Sequence, residues 1–365
     1  MALLAGGEVL LHDLDARTTR CVSPAGCRQT DLRFSSGGSS LSYARDGELF
    51  RYHIASNRED RLTHDASATC SNGVADFIAQ EEMHRFDGHW WGSNDEWLVY
   101  THVDVSPIPI AHRYEFSAGA LRVQDQRYPY AGAQHARVEL RMLRLRDGLV
   151  TVIDWADDSD DYLARVHVAG STVAVQVQSR DQRRLRLKLY ACENGLPMAA
   201  AQTALEEHSD SWINLHDNLK FLANQRDFLW TSERAGNARL YLYRGEAPIE
   251  LTKAGRVTRV IHATQTCAFF VGWTDTPTQQ HVYQVDFDAP YALRQLTNES
   301  GWHDASFDTR SRWFVDRFAS TATPPKSAAG SSRAVDSSDR DHGQRNWPPS
   351  CLRPVSGQPR AADIR

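Results

Sequence analysis

One unit of strand-forming sequence recurs along this chain, and it constrains the fold more than any other feature. The stretch from Phe34 to Thr63, FSSGGSSLSYARDGELFRYHIASNREDRLT, alternates short β-prone runs with turn residues. The same order returns from Phe221 to Thr252 and from Val260 to Thr297, and each copy ends in Leu-Thr. Short strands and tight turns that repeat every 40 to 50 residues or so, roughly the length of one blade, are typical of a β-propeller.

Weaker copies of the unit occupy much of the remaining sequence before residue 326. They are WWGSNDEWLVYTHVD, ARVELRMLRLRDGLVTVIDW and DDYLARVHVAGSTVAVQVQSRDQRRLRLKLYAC, with a half-unit in WHDASFDTRSRWFVDRFAS. The sequence therefore predicts an all-β fold over residues 1–325, a β-propeller with about six blades, where closed propellers usually have four to eight.

The composition changes abruptly after Pro325. Residues 326–365 are rich in Ser, Pro, Gly, Arg and Asp, and Trp347 is their only aromatic residue. Such a segment cannot bury enough apolar surface to offset the entropy that ordering would cost. The sequence therefore predicts a disordered tail over residues 326–365. A change of reading frame would leave such a switch at a single point, so an out-of-frame tail is a hypothesis to test on the coding DNA.

The overall composition excludes several functional classes. A formal net charge of -5, with no basic block that interleaves aromatic residues, argues against nucleic acid and anionic lipid as partners. The sequence after Met1 has no basic n-region, and no run of 18 apolar residues occurs, so we expect no membrane segment and, for the chain as written, a cytoplasmic location. The cysteines are far apart in the sequence and are expected to be unpaired thiols.

Few residues in the sequence match a known catalytic or metal-binding pattern. There is no Gly-x-Ser-x-Gly nucleophile elbow and no glycine-rich phosphate loop, so we predict no catalytic residue and no cofactor. Glu81 and His84 have the Glu-x-x-His spacing of a carboxylate-bridged metal site. That site needs a second such pair and further glutamates on long helices, which a strand-rich chain does not provide, so no metal site is expected.

The stretch GVADFIAQEEMHRFDGHWWGSNDEWLVY places two adjacent glutamates, Glu81 and Glu82, in a short helix-compatible run ahead of a Trp-rich strand. For an arbitrary pair of glutamates, solvated surface charge is the ordinary interpretation. The residues around this pair favour a different interpretation.

The segment NGVADFIAQEEMHRFDGHWW, followed by EWLVYTHVDVSPIPIAHRYEF and QRYPYAGAQHARVEL, resembles the propeller of the dipeptidyl peptidase IV family, serine exopeptidases of the prolyl oligopeptidase class. The resemblance covers roughly residues 7–325. It implies an eight-bladed propeller that caps an α/β-hydrolase domain, with Glu81 and Glu82 binding the free α-amino group of the substrate. Adjacent carboxylates in a partly dry cavity, the environment expected here, repel each other, and a bound ammonium relieves that repulsion with its positive charge and three N–H donors.

The family's catalytic Ser, Asp and His have no counterparts in this sequence, so we expect no α/β-hydrolase domain. From the number of repeated units we expect about six of the family's eight blades. The resemblance then implies a propeller portion that binds peptide N-termini for an enzyme releasing Xaa-Pro or Xaa-Ala dipeptides, inactive by itself. It also implies a homodimeric parent enzyme in the periplasm or outside the cell. Two alternatives stay open: a half-enzyme complemented by a separate hydrolase chain, and a non-enzymatic propeller that binds peptides or proteins.

Overall fold

The computed structural model describes residues 1–24, 26–198 and 200–332, and strands dominate this part of the chain. The described residues form thirty strands in eight sheets, and every pairing between these strands is antiparallel. They also contain one short α-helix and one 3-10 turn, Ser93–Asp95. Seven sheets have three or more strands and follow one another along the chain; we number them sheets 1 to 7.

The first three sheets and a hairpin occupy the N-terminal half of the described chain. Sheet 1 comprises β1 (Ala2–Ala5), β2 (Glu8–Asp13) and β3 (Thr18–Cys21). Sheet 2 comprises β4 (Gln29–Phe34), β5 (Ser40–Arg45), β6 (Glu48–His53) and β7 (Arg58–Arg61). Sheet 3 begins with β8 (Cys70–Asn72), which helix α1 (Phe77–Glu81) separates from β9 (His89–Trp91) and β10 (Trp97–Asp104). The hairpin of β11 (Ile110–Ser117) and β12 (Ala120–Arg127) follows, and then β13 (Arg137–Arg144) and β14 (Leu149–Ile153) complete sheet 3.

The remaining four sheets repeat the same plan. Sheet 4 comprises β15 (Tyr162–Ala169), β16 (Thr172–Gln178), β17 (Arg184–Glu193), β18 (Leu196–Pro197) and β19 (Gln202–His208). Sheet 5 comprises β20 (Lys220–Phe221), β21 (Phe228–Ser232), β22 (Arg239–Tyr243) and β23 (Pro248–Glu250). Sheet 6 comprises β24 (Arg256–Ala263), β25 (Cys267–Trp273), β26 (His281–Asp286) and β27 (Leu293–Gln295). Sheet 7 comprises β28 (Trp302–Phe307), β29 (Trp313–Ser320) and β30 (Thr323–Ser331).

The recurring Leu-Thr pair fastens the end of each regular sheet to its third strand. In sheets 2, 5 and 6 the leucine donates its N–H, at 2.8 Å, to the carbonyl of one residue on that strand. The threonine Oγ1 accepts the N–H of the same residue. The donors and their threonines are Leu49 and Thr63 (2.9 Å), Leu240 and Thr252 (2.9 Å), and Val282 and Thr297 (3.0 Å).

Replacing Thr252 should measure the contribution of this hydroxyl to stability. Thr252 is 1% exposed, so Thr252→Val leaves the buried N–H of Leu240 without its acceptor, and we expect the free energy of unfolding to fall by about 1–3 kcal/mol. Thr252→Ser keeps the hydroxyl and serves as the matched control in urea denaturation. Equal midpoints for the two variants would show that the bond contributes nothing.

Successive sheets pack face to face, and their facing side chains form the core. Between sheets 5 and 6, for example, Leu229 and Leu242 lie in one buried cluster with Val260 and Phe270. The first strands also contact one another from sheet to sheet, β20 with β24 and β24 with β28. Small sheets that stack in chain order with their first strands side by side form the arrangement of a β-propeller.

The hairpin of β11 and β12 is the one sheet of the described chain with only two strands. One of its faces carries apolar side chains that are between 49% and 80% exposed: Ile110, Tyr114, Phe116, Leu121 and Val123. An isolated hairpin is marginally stable in water, and this one leaves its apolar face unpaired within the described chain.

The predicted all-β propeller is confirmed, and the described residues contain no α/β-hydrolase domain. The N-terminal three-stranded sheet raises the number of multi-stranded sheets to seven, against about six expected from the sequence. The ordered part also extends beyond the boundary expected at residue 325, because Lys326–Ser331 lies in β30 and pairs with β29. The rest of the predicted disordered tail, residues 333–365, lies outside the described residues.

Two further findings concern the predictions about thiols and membrane segments. Five cysteines of the described chain are free, and Cys351 lies outside it. Among the described residues, no helix has the length and apolar character needed to cross a bilayer.

Candidate functional site

The two glutamates lie on a segment, residues 74–87, that leaves sheet 3 after β8 and returns before β9. An isolated antiparallel bridge between Val74 and Asp87 closes the segment. Helix α1 begins after Asp76, whose carboxylate accepts the N–H of Ala79 at 3.1 Å and so caps the helix. Glu81 is the last residue of α1 and Glu82 is its C-cap, so the pair occupies the helix end.

Apolar packing fixes the helix against the neighbouring sheets. Ala79 is 0% exposed and Met83 is 7% exposed, and both belong to a buried cluster with Leu187 of sheet 4 and Trp230 of sheet 5. Glu81 and Glu82, in contrast, are exposed. The fold therefore holds the backbone of the pair and leaves the two carboxylates in solvent, whereas the sequence argument expected a partly dry cavity.

Arg85 is a buried cation that ties this segment to sheet 4. It is 2% exposed; its Nη1 donates to the carbonyl of Asp87 at 2.5 Å, and its Nε donates to the carbonyl of Leu163 on β15 at 3.3 Å. Its Nη2 lies 3.6 Å from Oδ2 of Asp76, the residue that caps α1. Burial lowers the pKa of Arg85, and the Asp76 carboxylate opposes that shift. One side chain thus connects the start of the segment, its end and the next sheet.

A second network holds the end of the segment to sheet 2. Arg33 on β4 forms ion pairs with Asp31, at 2.8 Å, and with Asp87. The Asp31 carboxylate also accepts the N–H of Gly88 at 2.8 Å. Burial opposes ionisation of Asp31, but His89 and Arg33 outweigh it and lower the pKa of this carboxyl. A Cβ at Gly88 would lie 2.2 Å from the backbone nitrogen of Val74, so only glycine fits there.

Aromatic side chains lie beside the helix. The Phe77 ring meets Tyr128 edge to face, with ring centroids 5.5 Å apart, and Tyr128 meets Tyr130 at 5.0 Å. On β15, burial raises the pKa of Tyr162, and the Glu82 carboxylate adds to that shift, which places Glu82 within electrostatic reach of this phenol. The surroundings of the glutamates therefore combine exposed aromatic surface with negative charge.

Within the described part of the chain, neither Glu81 nor Glu82 forms an ion pair or a side-chain hydrogen bond. Other glutamates of the fold are engaged: Glu207, for example, accepts bonds from Trp230, Ser232 and Arg234. The pair is therefore free to receive a cation. Its role in binding substrate stays a prediction.

Neither a cavity nor a metal site of the described residues includes the glutamate pair. Three cavities, of about 370, 850 and 460 Å³, lie around sheets 3 to 6, and neither glutamate lines any of them. The described residues contain no group of three or more His, Cys, Asp or Glu side chains placed to hold a metal ion, and His84 is exposed.

Comparison with known proteins agrees with this fold. Residues 5–325 match the family model described as the dipeptidyl peptidase IV (DPP IV) N-terminal region. This chain belongs to that family.

Individual relatives of this chain are distant in sequence. It is 22% identical over 334 residues to a protein of Emericella nidulans named "Probable dipeptidyl-aminopeptidase B", with 81% of this chain and 36% of the relative covered. A protein of the same name from Paracoccidioides brasiliensis is 21% identical over 357 residues, covering 87% of this chain and 39% of the relative.

Among solved structures, dipeptidyl peptidase 4 of Porphyromonas gingivalis superimposes with a TM-score of 0.80 at 21% identity, covering 89% of this chain and 47% of that one. At that identity the likeness shows the fold. The chain spans less than half the length of each of these three relatives.

Sequence reasoning found the glutamates but missed the residues that hold them. Arg85 stands in the same quoted stretch, yet arginine is usually a surface residue, and nothing in a single sequence marks this one as buried. The pairing of Arg33 with Asp87 joins residues of different sheets and likewise has no local signal. Glycine at position 88 was the available clue, because a glycine before a strand often marks close backbone approach.

Proposed function

We propose that this chain is the propeller portion of a dipeptidyl peptidase and that Glu81 and Glu82 bind the free N-terminal amine of its peptide substrates. A catalytic domain, which the described residues do not contain, would then release Xaa-Pro or Xaa-Ala dipeptides. The observation that carries this proposal is the absence of any cationic partner for the two exposed carboxylates among the described residues. An ammonium supplies the missing charge and three N–H donors.

Two features of the surroundings support a binding site over ordinary surface charge. The backbone of the pair is fixed by the buried Arg85, the Asp76 cap and the packing of Met83, so that the carboxylates start from a defined position. Pre-organised groups lose less entropy when a ligand binds. The nearby rings of Phe77 and Tyr128 offer apolar surface to the side chains of a peptide.

Calorimetric titration of the chain with the tripeptide Ala-Pro-Ala tests the proposal. We expect Glu81→Gln and Glu82→Gln each to weaken binding about tenfold, which corresponds to ~1.4 kcal/mol, since each removes one charge from a solvent-exposed pair. Glu246→Gln is the matched control, because Glu246 is also an exposed glutamate without a partner in the described chain. N-acetylated Ala-Pro-Ala lacks the ammonium and should bind as weakly as the variants do to the free peptide.

Equal affinity for the free and acetylated tripeptides would show that the amine is not recognised. Loss of binding in Glu246→Gln to the same extent as in the two variants would assign the effect to overall charge.

We further propose that the whole enzyme is homodimeric, as the family resemblance implies. The exposed apolar face of the β11–β12 hairpin supports this, because a second copy offers the same face and so a self-complementary contact. Analytical ultracentrifugation should find a dimer that Phe116→Ser converts to monomer. Val152→Ser, at a 56% exposed position of β14, is the control and should leave the dimer intact. A monomer for the unaltered chain at all concentrations would contradict a dimer held by the propeller.

A further inference from the structure

The first strands of sheets 4, 5 and 6 concentrate basic side chains. These side chains are Arg165 and His167 on β15, Lys220 on β20, and Arg259 and His262 on β24. Strands β20 and β24 are in contact, so side chains from different sheets meet here.

The carboxylates beside these strands are already committed. Arg165 Nε lies 2.5 Å from Oδ1 of Asp217. Arg259 pairs with Asp304, which also accepts a hydrogen bond from Arg317 at 2.8 Å. The two carboxylates are therefore taken up by Arg165, Arg259 and Arg317.

Lys220 is the cation left over. It is half-buried, and in the described part of the chain it makes no hydrogen bond and no ion pair. The ring nitrogen Nε2 of His167 is buried and likewise has no hydrogen-bond partner among the described residues. Unpaired polar groups away from water are costly, which makes each of them a good receptor for a ligand of matching charge.

The contact between β20 and β24 brings Lys220 and Arg259 onto neighbouring strands. Burial and Arg259 lower the pKa of Lys220, and the Asp217 carboxylate opposes that shift. Burial and the Lys220 ammonium lower the pKa of His167 to about 4, so that this imidazole is neutral at pH 7. A neutral imidazole retains one N–H that can donate to an anion.

We propose that Lys220, with His167 and Arg259 beside it, forms a binding site for a carboxylate. The single uncompensated ammonium matches one negative charge, whereas the carboxylates of Asp217 and Asp304 disfavour a doubly charged anion such as phosphate. The carboxylate could belong to an acidic peptide or to a free small acid, and both share this chemistry. The site shares no residue with the amine-binding pair.

Three ligands distinguish these sources in calorimetric titrations of the 365-residue chain: Ac-Ala-Glu-Ala-NH2, its glutamine analogue Ac-Ala-Gln-Ala-NH2, and butyrate, a free acid with a single carboxylate. The N-acetyl groups remove the amine, so Glu81 and Glu82 are not engaged. We expect the glutamate peptide to bind at least tenfold more tightly than the glutamine peptide. Butyrate binding as tightly as the peptide assigns the site to free acids; weaker butyrate binding assigns it to acidic peptides. Both results support the site.

Lys220→Met should abolish the preference for glutamate, and Lys220→Arg should keep it. Lys253→Met is the matched control, because Lys253 is an exposed lysine above the Tyr291 ring and should leave binding unchanged. Thermal unfolding without ligand provides a second readout: Lys220→Met removes an unpaired ammonium, so we expect its midpoint to equal or exceed that of the parent chain. The Glu81→Gln variant should bind the glutamate peptide normally, which separates this site from the amine site.

Equal binding of the two peptides by the parent chain would overturn the proposal. Unchanged preference in a folded Lys220→Met variant would overturn it as well.

Discussion

The purified 365-residue chain is expected to leave a chromogenic substrate such as Ala-Pro-p-nitroanilide uncleaved. Binding the amine alone leaves the barrier to acyl transfer nearly untouched, since a nucleophile and an oxyanion hole provide most of the acceleration. The described residues form antiparallel propeller sheets and one short helix, and the sequence contains no Gly-x-Ser-x-Gly elbow. Because enzymes typically accelerate reactions at least ~10⁶-fold, absorbance of released p-nitroaniline should stay at the background rate.

The control must distinguish activity of the chain itself from activity of a contaminating peptidase. Turnover that persists through successive chromatographic steps, follows the chain and is blocked by a serine-directed phosphonate would contradict it. Turnover that begins only when a separate hydrolase chain is added would instead favour the half-enzyme alternative. That alternative is consistent with a chain that spans less than half of its relatives.

The sequence could predict the propeller because its repeating units carry local and repeated interactions. Thr63, Thr252 and Thr297 each accept a backbone N–H within their own sheet, so the Leu-Thr pair that marks each unit in the sequence is also the bond that fastens it. The glutamate pair was singled out through the family resemblance of the residues around it, and the helix that ends there has a local cap, Asp76, five positions before Glu81.

Features set by distant residues could not be predicted. Arg85 bonds to Leu163, 78 residues away, and Lys220 acquires its neighbours only when three sheets assemble. The hairpin of β11 and β12 alternates apolar and polar residues as a blade does, so its period cannot reveal that no sheet of the described chain covers it. Strand β30 is the opposite case: TPPKSAAGS has little β-propensity, and its pairing with β29 uses backbone groups that composition does not report.

Arg85→Met is expected to lower the free energy of unfolding by about 3–4 kcal/mol, the scale for removing one partner of a buried ion pair. Methionine retains the apolar stem but removes the hydrogen bonds that Arg85 donates to the carbonyls of Asp87 and Leu163. It also leaves the Asp76 carboxylate, which lies 3.6 Å from the guanidinium, without its cation. Removal of the desolvated charge offsets part of this cost, so we expect the lower end of the range. Urea denaturation measures the change.

Two further variants make the result interpretable. Arg310→Met is the matched control, because Arg310 is exposed and its side chain forms no bond in the described chain, and it should change stability by less than about 0.5 kcal/mol. Arg85→Lys keeps the charge but cannot reach two carbonyls and a carboxylate at once, so it should lie between the parent chain and Arg85→Met.

Hydrogen exchange separates a local from a global effect of Arg85. The amides of Glu82 and Arg85 bond to the carbonyls of Ile78 and Ala79, at 3.0 and 2.7 Å, and exchange through local opening of the segment. If Arg85 positions the glutamates, these two amides should lose more protection in Arg85→Met than those of β22, and Ala-Pro-Ala binding should weaken at temperatures where the variant is still folded. If stability and local protection are both unchanged, then Ala79 and Met83 hold the helix by packing alone. The glutamate pair would then owe its position to the apolar cluster and not to the buried cation beneath it.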